Sequence, residues 1–302
     1  MQAFWLIAQL LIALALGFFI AKRLPHAIIQ YAFKLLPYFS YALLISIALE
    51  FSSVFSTLDQ HQAVLQQGIT LAFLTSVGSF ACCYLLYKCL GYRTTQGQIS
   101  AKAVMQSLLN MSYAFIALAL GYLLYHIAVF FNLALQPDTW SLLLLFMLLI
   151  GLDLAHTQLD RSWLNWQILL VPLACMIGSI LAALLTSLLF TQWRALDFIL
   201  LSQGYGFYTM SSVVISELRG PELGSLALVN DLFREAFAII LMFALGWRYP
   251  RSAISSAGAT AMDVTLPMVK QACGNDFIPH AMVSGFLLSV LAPIAVSILA
   301  AL

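Results

Sequence analysis

Charge is scarce in this chain: only 8% of its 302 residues are Asp, Glu, Lys or Arg, against about 25% in an ordinary soluble domain. No hydrophilic stretch is long enough to hold a soluble domain. The formal net charge is +1, and no basic block with interleaved aromatics occurs, which argues against nucleic acid as a partner. The five cysteines (Cys82, Cys83, Cys89, Cys175 and Cys273) lie in or beside apolar runs without CxxC or other metal-ligand spacing, so no metal site is expected. HExxH, GxSxG, a Walker A loop and a paired GxGD-type aspartate are all missing. Neither an enzyme nor a cofactor is expected, and any pumping must draw on an ion gradient.

What remains is apolar. Hydrophobic residues make up 63% and the mean hydropathy is +0.97, the composition of an all-α polytopic membrane protein in contact with a lipid bilayer. Ten hydrophobic segments can be drawn, near 2–21, 27–50, 63–90, 104–125, 139–154, 165–191, 196–217, 222–247, 253–272 and 277–301. A helical span needs about 20 apolar residues, and helices are required because open sheet edges cannot be satisfied in lipid. The first segment lacks a basic front and is followed by Lys22-Arg23, so it reads as a retained helix.

Two internal repeats organise the chain. Ile12–Gly17 recurs as Ile116–Gly121, Ile47–Phe51 is echoed by Ile150–Leu154, and Gly78-Ser79 by Gly178-Ser179, at offsets of 104, 103 and 100. Three spans is an odd number, so the second copy is expected upside down. Residues 1–192 thus read as a scaffold-like region of two inverted three-helix repeats, 1–90 and 104–192. A second repeat, offset by 54, places Gly204 on Gly258, Ser211 on Thr265, Gly220 on Gly274, Glu222 on Asp276 and Asn230 on Ser284. Residues 196–302 read as a transport region of two inverted units, 196–247 and 250–301. Each opens with a segment rich in glycine and hydroxyls, which weakens a continuous helix and suits a re-entrant or unwound element. The expected architecture is eight transmembrane helices plus two such elements.

Orientation follows from the basic residues. Lys22, Arg23, Lys88, Arg93, Lys102 and Arg161 fall on one side, while the loops carrying Asp59, His61 and Asp138 have no Lys or Arg. The positive-inside rule then puts both termini outside, in the periplasm. Two re-entrant elements bring Arg248 and Arg251 inside at the cost of placing Arg194 and Arg219 outside. Trp140, Trp163, Trp166, Trp193 and Trp247 lie near segment ends, as an aromatic belt requires.

The chemistry concentrates in Asn230-Asp231-Leu232-Phe233-Arg234-Glu235, inside an apolar helix. An acid at mid-membrane costs roughly 2.5–3.5 kcal/mol on insertion scales and usually marks an ion or substrate pathway. Asp231, Arg234 and Glu235 share one helical face, either as pairs that lock helices together or as a site; two acids against one base leave one carboxylate over. Asp263, between Gly258-Ala259-Thr260 and Thr265-Leu266-Pro267, either caps a half-helix or joins that site. Glu50 and Asp153 read as interfacial acids at opposite faces, and the five histidines show no ligand spacing.

Taken in order, Gly204–Ser212, Gly220-Pro221, Asn230–Glu235, Gly258–Pro267 and Phe286–Ser289 with Pro293 resemble the bacterial lysine exporter family LysO. The resemblance is dense over the last third and loose over the first 190 residues; Phe207-Tyr208-Thr209 stands where Trp-Tyr-Ser is expected. It implies an inner-membrane exporter of L-lysine with membrane-embedded acids as its essential groups: Glu235 and Asp263, with Asp231 and Arg234 beside them. Supporting positions are Asn230, Gly204, Gly206, Tyr208, Thr209, Ser211, Ser212, Gly258, Thr260 and Thr265. The acids would take an ammonium group, and tip amides with Ser211, Ser212 or Thr265 the carboxylate. Close cationic analogues would share the site, and inward protons are the expected coupling ion. A sodium-coupled carrier of an organic anion or amino acid, with Arg234 holding the substrate, is the alternative, and a non-transporting membrane scaffold the reading of another class. The oligomeric state stays open.

Overall fold

The computed structural model describes residues 2–21, 23–55, 61–91, 101–133, 137–156 and 165–302. Lys22, Asp59, Arg93, Arg161 and Trp163, named above, lie outside them. Among the described residues every regular element is helical. Six long helices come first: α1 (Gln2–Ala21), α2 (His26–Phe55), α3 (His61–Cys89), α4 (Ala101–Phe130), α5 (Thr139–His156) and α6 (Trp166–Leu189). Two short ones follow, α7 (Ala195–Ser202) and α8 (Tyr208–Arg219), then the long α9 (Pro221–Leu245). The short α10 (Pro250–Ala257) runs into a 3-10 turn, Gly258–Met262, and then into α11 (Leu266–Met268) and a π-turn, Val269–Cys273; α12 (Ile278–Ala301) ends the fold.

Among the described residues, six helical stretches are long and apolar enough to cross a membrane: 29–52, 62–89, 112–130, 139–156, 166–189 and 275–301. Helix α1 offers a shorter apolar stretch, 8–21. Helix α9 has the length, 25 residues, but Glu222, Asp231, Arg234 and Glu235 interrupt its apolar run. The count drawn by hydropathy is therefore met in part: of the long helices, α1 falls short in apolar length and α9 because it carries charge.

Glycines flagged by the first repeat sit where helices cross. α1 meets α5 with Gly17 and Gly151 facing each other, and a Cβ on either would strike backbone of the other helix. α2 meets α4 where a Cβ on Gly121 would come within 2.6 Å of both Ile45 O and the Ala48 Cβ. α3 meets α6 at Gly78 and Gly178, where a Cβ on Gly178 would lie 2.6 Å from Gly78 O. Small residues at crossings let apolar helices approach closely, the main source of helix association without a hydrophobic driving force. Under the repeat alignment Gly17 maps to Gly121 and Ala48 to Gly151, so the first two crossings exchange and the third maps onto itself.

The segments at 196–217 and 253–272 fold back on themselves. At the mouth of the first, Asp197 near the start of α7 takes an ion pair from Arg219 at the end of α8, and another from Arg194 at 3.1 Å. Antiparallel limbs are the only way to join residues so far apart in sequence within one such element. The second closes where Cys273 reaches Pro250 O at 4.0 Å. The two mouths lie at opposite ends of α3. Near the first mouth, Gln67 Nε2 donates to Gln192 Oε1 at 2.6 Å; near the second, the Arg251 guanidinium sits 5.0 Å from the Tyr87 ring. Twenty residues of α3 separate those points, about 30 Å. The tips meet between them, with Ala259 N–H donating to Tyr205 O at 2.9 Å. Gly220 (φ 99°, ψ 158°) and Gly274 (φ 94°, ψ 161°), paired at the offset of 54, end the hairpins in the same backbone conformation, one that favours glycine.

Candidate functional site

A helix that stops inside a protein leaves its last four carbonyls without partners. For α7 all four are accounted for. Ile199 O accepts from the Ser202 hydroxyl at 2.8 Å and Leu200 O from Gln203 N–H at 3.1 Å. Leu201 O accepts from Asn230 Nδ2 at 3.0 Å and Ser202 O from Arg234 Nη1 at 3.4 Å. The last two donors are one turn apart on α9.

The same helix face finishes the other limb. Asp231 accepts from Gly206 N–H at 3.2 Å, from the Ser211 hydroxyl at 2.5 Å and from Asn230 Nδ2 at 3.0 Å. Gly204 passes directly against this carboxylate, where a Cβ would overlap it. Three of the four polar residues in the α9 motif are thus committed to the first hairpin. The shared helical face exists, but its members serve different partners.

Arg234 is fully buried. Its Nη2 donates to Ser79 Oγ at 3.2 Å and Cys175 Sγ at 3.1 Å, and its Cζ lies 5.7 Å from the Tyr205 ring centroid. Among the described residues it has no carboxylate within 4.0 Å, so locking ion pairs with Asp231 or Glu235 are not formed.

Glu235 is left over. It is 2% exposed and its Oε2 has no hydrogen-bond partner, an expensive state for a polar atom. The acid whose charge acts on it is Asp263. Asp263 is exposed, with one carboxylate oxygen accepting from the next residue, Val264 N–H. Its side chain does not cap α11, whose N-cap position is Thr265. Tyr208, the first residue of α8, lies within the field of Glu235, Asp263 and Tyr41. Tyr41, in α2, feels Glu235 and packs 6.3 Å from the Tyr113 ring. Tyr208, at the positive end of α8, and Tyr41 on α2 thus share the electrostatic surroundings of Glu235.

The hydroxyls expected to meet a substrate carboxylate are largely engaged. Ser211 donates to Asp231, Ser212 to Tyr208 O at 2.5 Å, Thr260 to Ala257 O at 2.9 Å and Thr265 to Thr260 O at 3.0 Å. They fold the hairpins, and Thr209 is buried beside them. Gly258, at φ 64°, turns its backbone against Tyr205 O. Glu217, near the first mouth, feels Glu50 and Asp138, whereas Asp153 acts on Asp263.

Sequence reasoning missed Tyr41, an aromatic on an apolar helix with no local signal. It gave Cys175 no role beyond its place in an apolar run, although that thiol meets a guanidinium. Ser79 and Tyr205 lay inside quoted motifs without a role.

Comparison with known proteins bears on the same residues. The profile of the family described as "Lysine exporter LysO" matches residues 111–300, more than half of the chain. The "Lysine exporter LysO" of Escherichia coli (strain K12) is 32% identical over 174 residues, which cover 57% of this chain and 58% of that protein. A "Putative lysine exporter" of Haemophilus influenzae is 33% identical over 144 residues, 48% of this chain and 71% of that protein. The chain thus matches little more than half the length of the first relative. No solved structure matches it.

Proposed function

The chain belongs to the lysine exporter LysO family, and from that premise we propose that it exports L-lysine across the bacterial inner membrane in exchange for protons at Glu235 and Asp263. The observation that carries the reading is Glu235, almost wholly buried with a partnerless oxygen, with the charge of Asp263 acting on it. Arg234 and Asp231 both serve the first hairpin and offset each other, so the local charge balance leaves two acids for mobile cations. Lysine brings two ammonium groups and one carboxylate. The ammonium groups suit the acids and the tyrosine faces, and the carboxylate suits the positive end of α8.

Carrying a net positive substrate outward against an inside-negative potential costs about 2.3 kcal/mol per 100 mV. An inward proton per lysine cancels that work. Occupancy of the same carboxylates by either ammonium or proton makes the exchange obligatory. In this reading eight long helices span the bilayer, and the two hairpins are re-entrant from opposite faces. Residues 1–192 form the scaffold and 196–302 the transport region, with both termini in the periplasm. The first hairpin's mouth then lies outside, where Asp197 offsets the positive charge of Arg194 and Arg219.

The test is efflux of labelled lysine from preloaded proteoliposomes. Acidifying the outer medium accelerates efflux in the wild type and leaves E235Q and D263N slow. Lysine flux that ignores the pH gradient, or variants that match the wild type, would overturn the proposal.

A further inference from the structure

The donors around Arg234 describe a cation site. Its guanidinium is held by a helix-end carbonyl (Ser202 O), a hydroxyl oxygen (Ser79 Oγ), a thiol sulfur (Cys175 Sγ) and an aromatic face (Tyr205). These are neutral, electron-rich groups of the kind that bind monovalent cations, and the negative end of α7 reinforces them. A buried charge normally comes with a contact partner of opposite sign. Here every contact is neutral, with the end of a helix dipole among them, and the opposite charge of Asp231 acts from beyond contact distance. The guanidinium also fits imperfectly: its Nε has no acceptor. The backbone is anchored alongside, since Ser76 Oγ donates to Arg234 O at 3.4 Å.

The other half of the transport region isolates the feature. At the offset of 54, Arg234 corresponds to Leu288, which is fully buried. There the last carbonyl of α10, Ala257 O, takes the Thr260 hydroxyl of the same hairpin at 2.9 Å. Of the two tips, the first is the one whose helix-end carbonyl takes a donor from an arginine.

We infer that Arg234 is a built-in cation, a tethered replacement for the alkali ion that would otherwise be needed to hold the first hairpin tip against α3 and α6. The tip is then organised permanently, sodium has no place in the cycle, and the mobile cations act at Glu235 and Asp263 alone. Removing the guanidinium creates a site for a small monovalent cation. The statement about the cycle rests on the transport reading; the statement about the site does not.

Two measurements separate these. The first is thermal unfolding of purified wild type and R234A in nanodiscs, with choline, sodium or methylguanidinium chloride. The wild type is indifferent to the cation. R234A melts lower, and millimolar methylguanidinium or sodium raises its midpoint by about 3 °C over choline, through binding to the folded state. An R234A midpoint that responds no more than that of the wild type overturns the site. Should R234A fail to fold, R234K and R234M decide: R234K folds and R234M does not, and equal behaviour of the two sinks the proposal. The second measurement is wild-type lysine efflux with sodium replaced by choline. Equal rates are expected, and a severalfold loss overturns the inference about the cycle, whereas absence of lysine flux in any medium instead rejects the transport reading and leaves the melting result to judge the site.

Discussion

The two hairpins share a plan and differ in what holds them. The first has a regular return limb, α8, and its mouth is closed by Asp197 between two arginines. Its tip is finished from outside by Asn230, Asp231 and Arg234. The second returns through a 3-10 turn, three residues of α-helix and a π-turn. Arg251 Nε meets His280 Nε2 at 3.3 Å near its mouth. Against its tip, α12 presents Gly285, where a Cβ would fall 2.7 Å from the Met262 Cβ. A regular return limb fastened by charged groups of α9 on one side and an irregular return limb on the other should divide the labour: the first hairpin as the fixed wall of the site and the second, carrying Asp263, as the part able to rearrange. Irregular hydrogen bonding belongs at the low-stability end of a structure.

The largest effect that could break this contrast is D231A. It removes the acceptor of three hydrogen bonds and leaves Arg234 buried with less compensation, an expected loss of about 3–5 kcal/mol in unfolding free energy. A loss below 1 kcal/mol would show that the tip does not depend on α9. Next comes D197A, which opens the first mouth while Arg219 stays largely covered; about 1–3 kcal/mol is expected by the same measurement. Hydrogen exchange sharpens the comparison without mutation: amides of 266–273 exchange faster than those of 210–219. Equal protection would remove the distinction. The smallest effect is S284A. Ser284 corresponds to Asn230 but its hydroxyl is buried without a partner, so its removal is neutral or stabilising by up to about 1 kcal/mol.

Particular residues show how far a single sequence reaches. The acids inside α9 announced a site because apolar surroundings make charge expensive, and the glycine-rich runs announced broken helices because they cannot hold a continuous one. A helical wheel, however, gives a face and not a partner. Asp231, Arg234 and Glu235 fall together on it, yet the first two are spent on the amide and carbonyl ends of one hairpin, a fact that depends on where α7 stops in space. Tyr41 carried no signal, since an aromatic on an apolar helix is ordinary. The repeated glycines were legible as letters, and their meaning as crossing points needed the packing.

Proton release on substrate binding tests the account most directly. In weakly buffered solution, adding lysine to the purified protein should release close to one proton per lysine bound, with the release abolished in the E235Q/D263N double variant. Lysine that binds the wild type without releasing protons, or releases them equally from the double variant, would contradict exchange at these two acids.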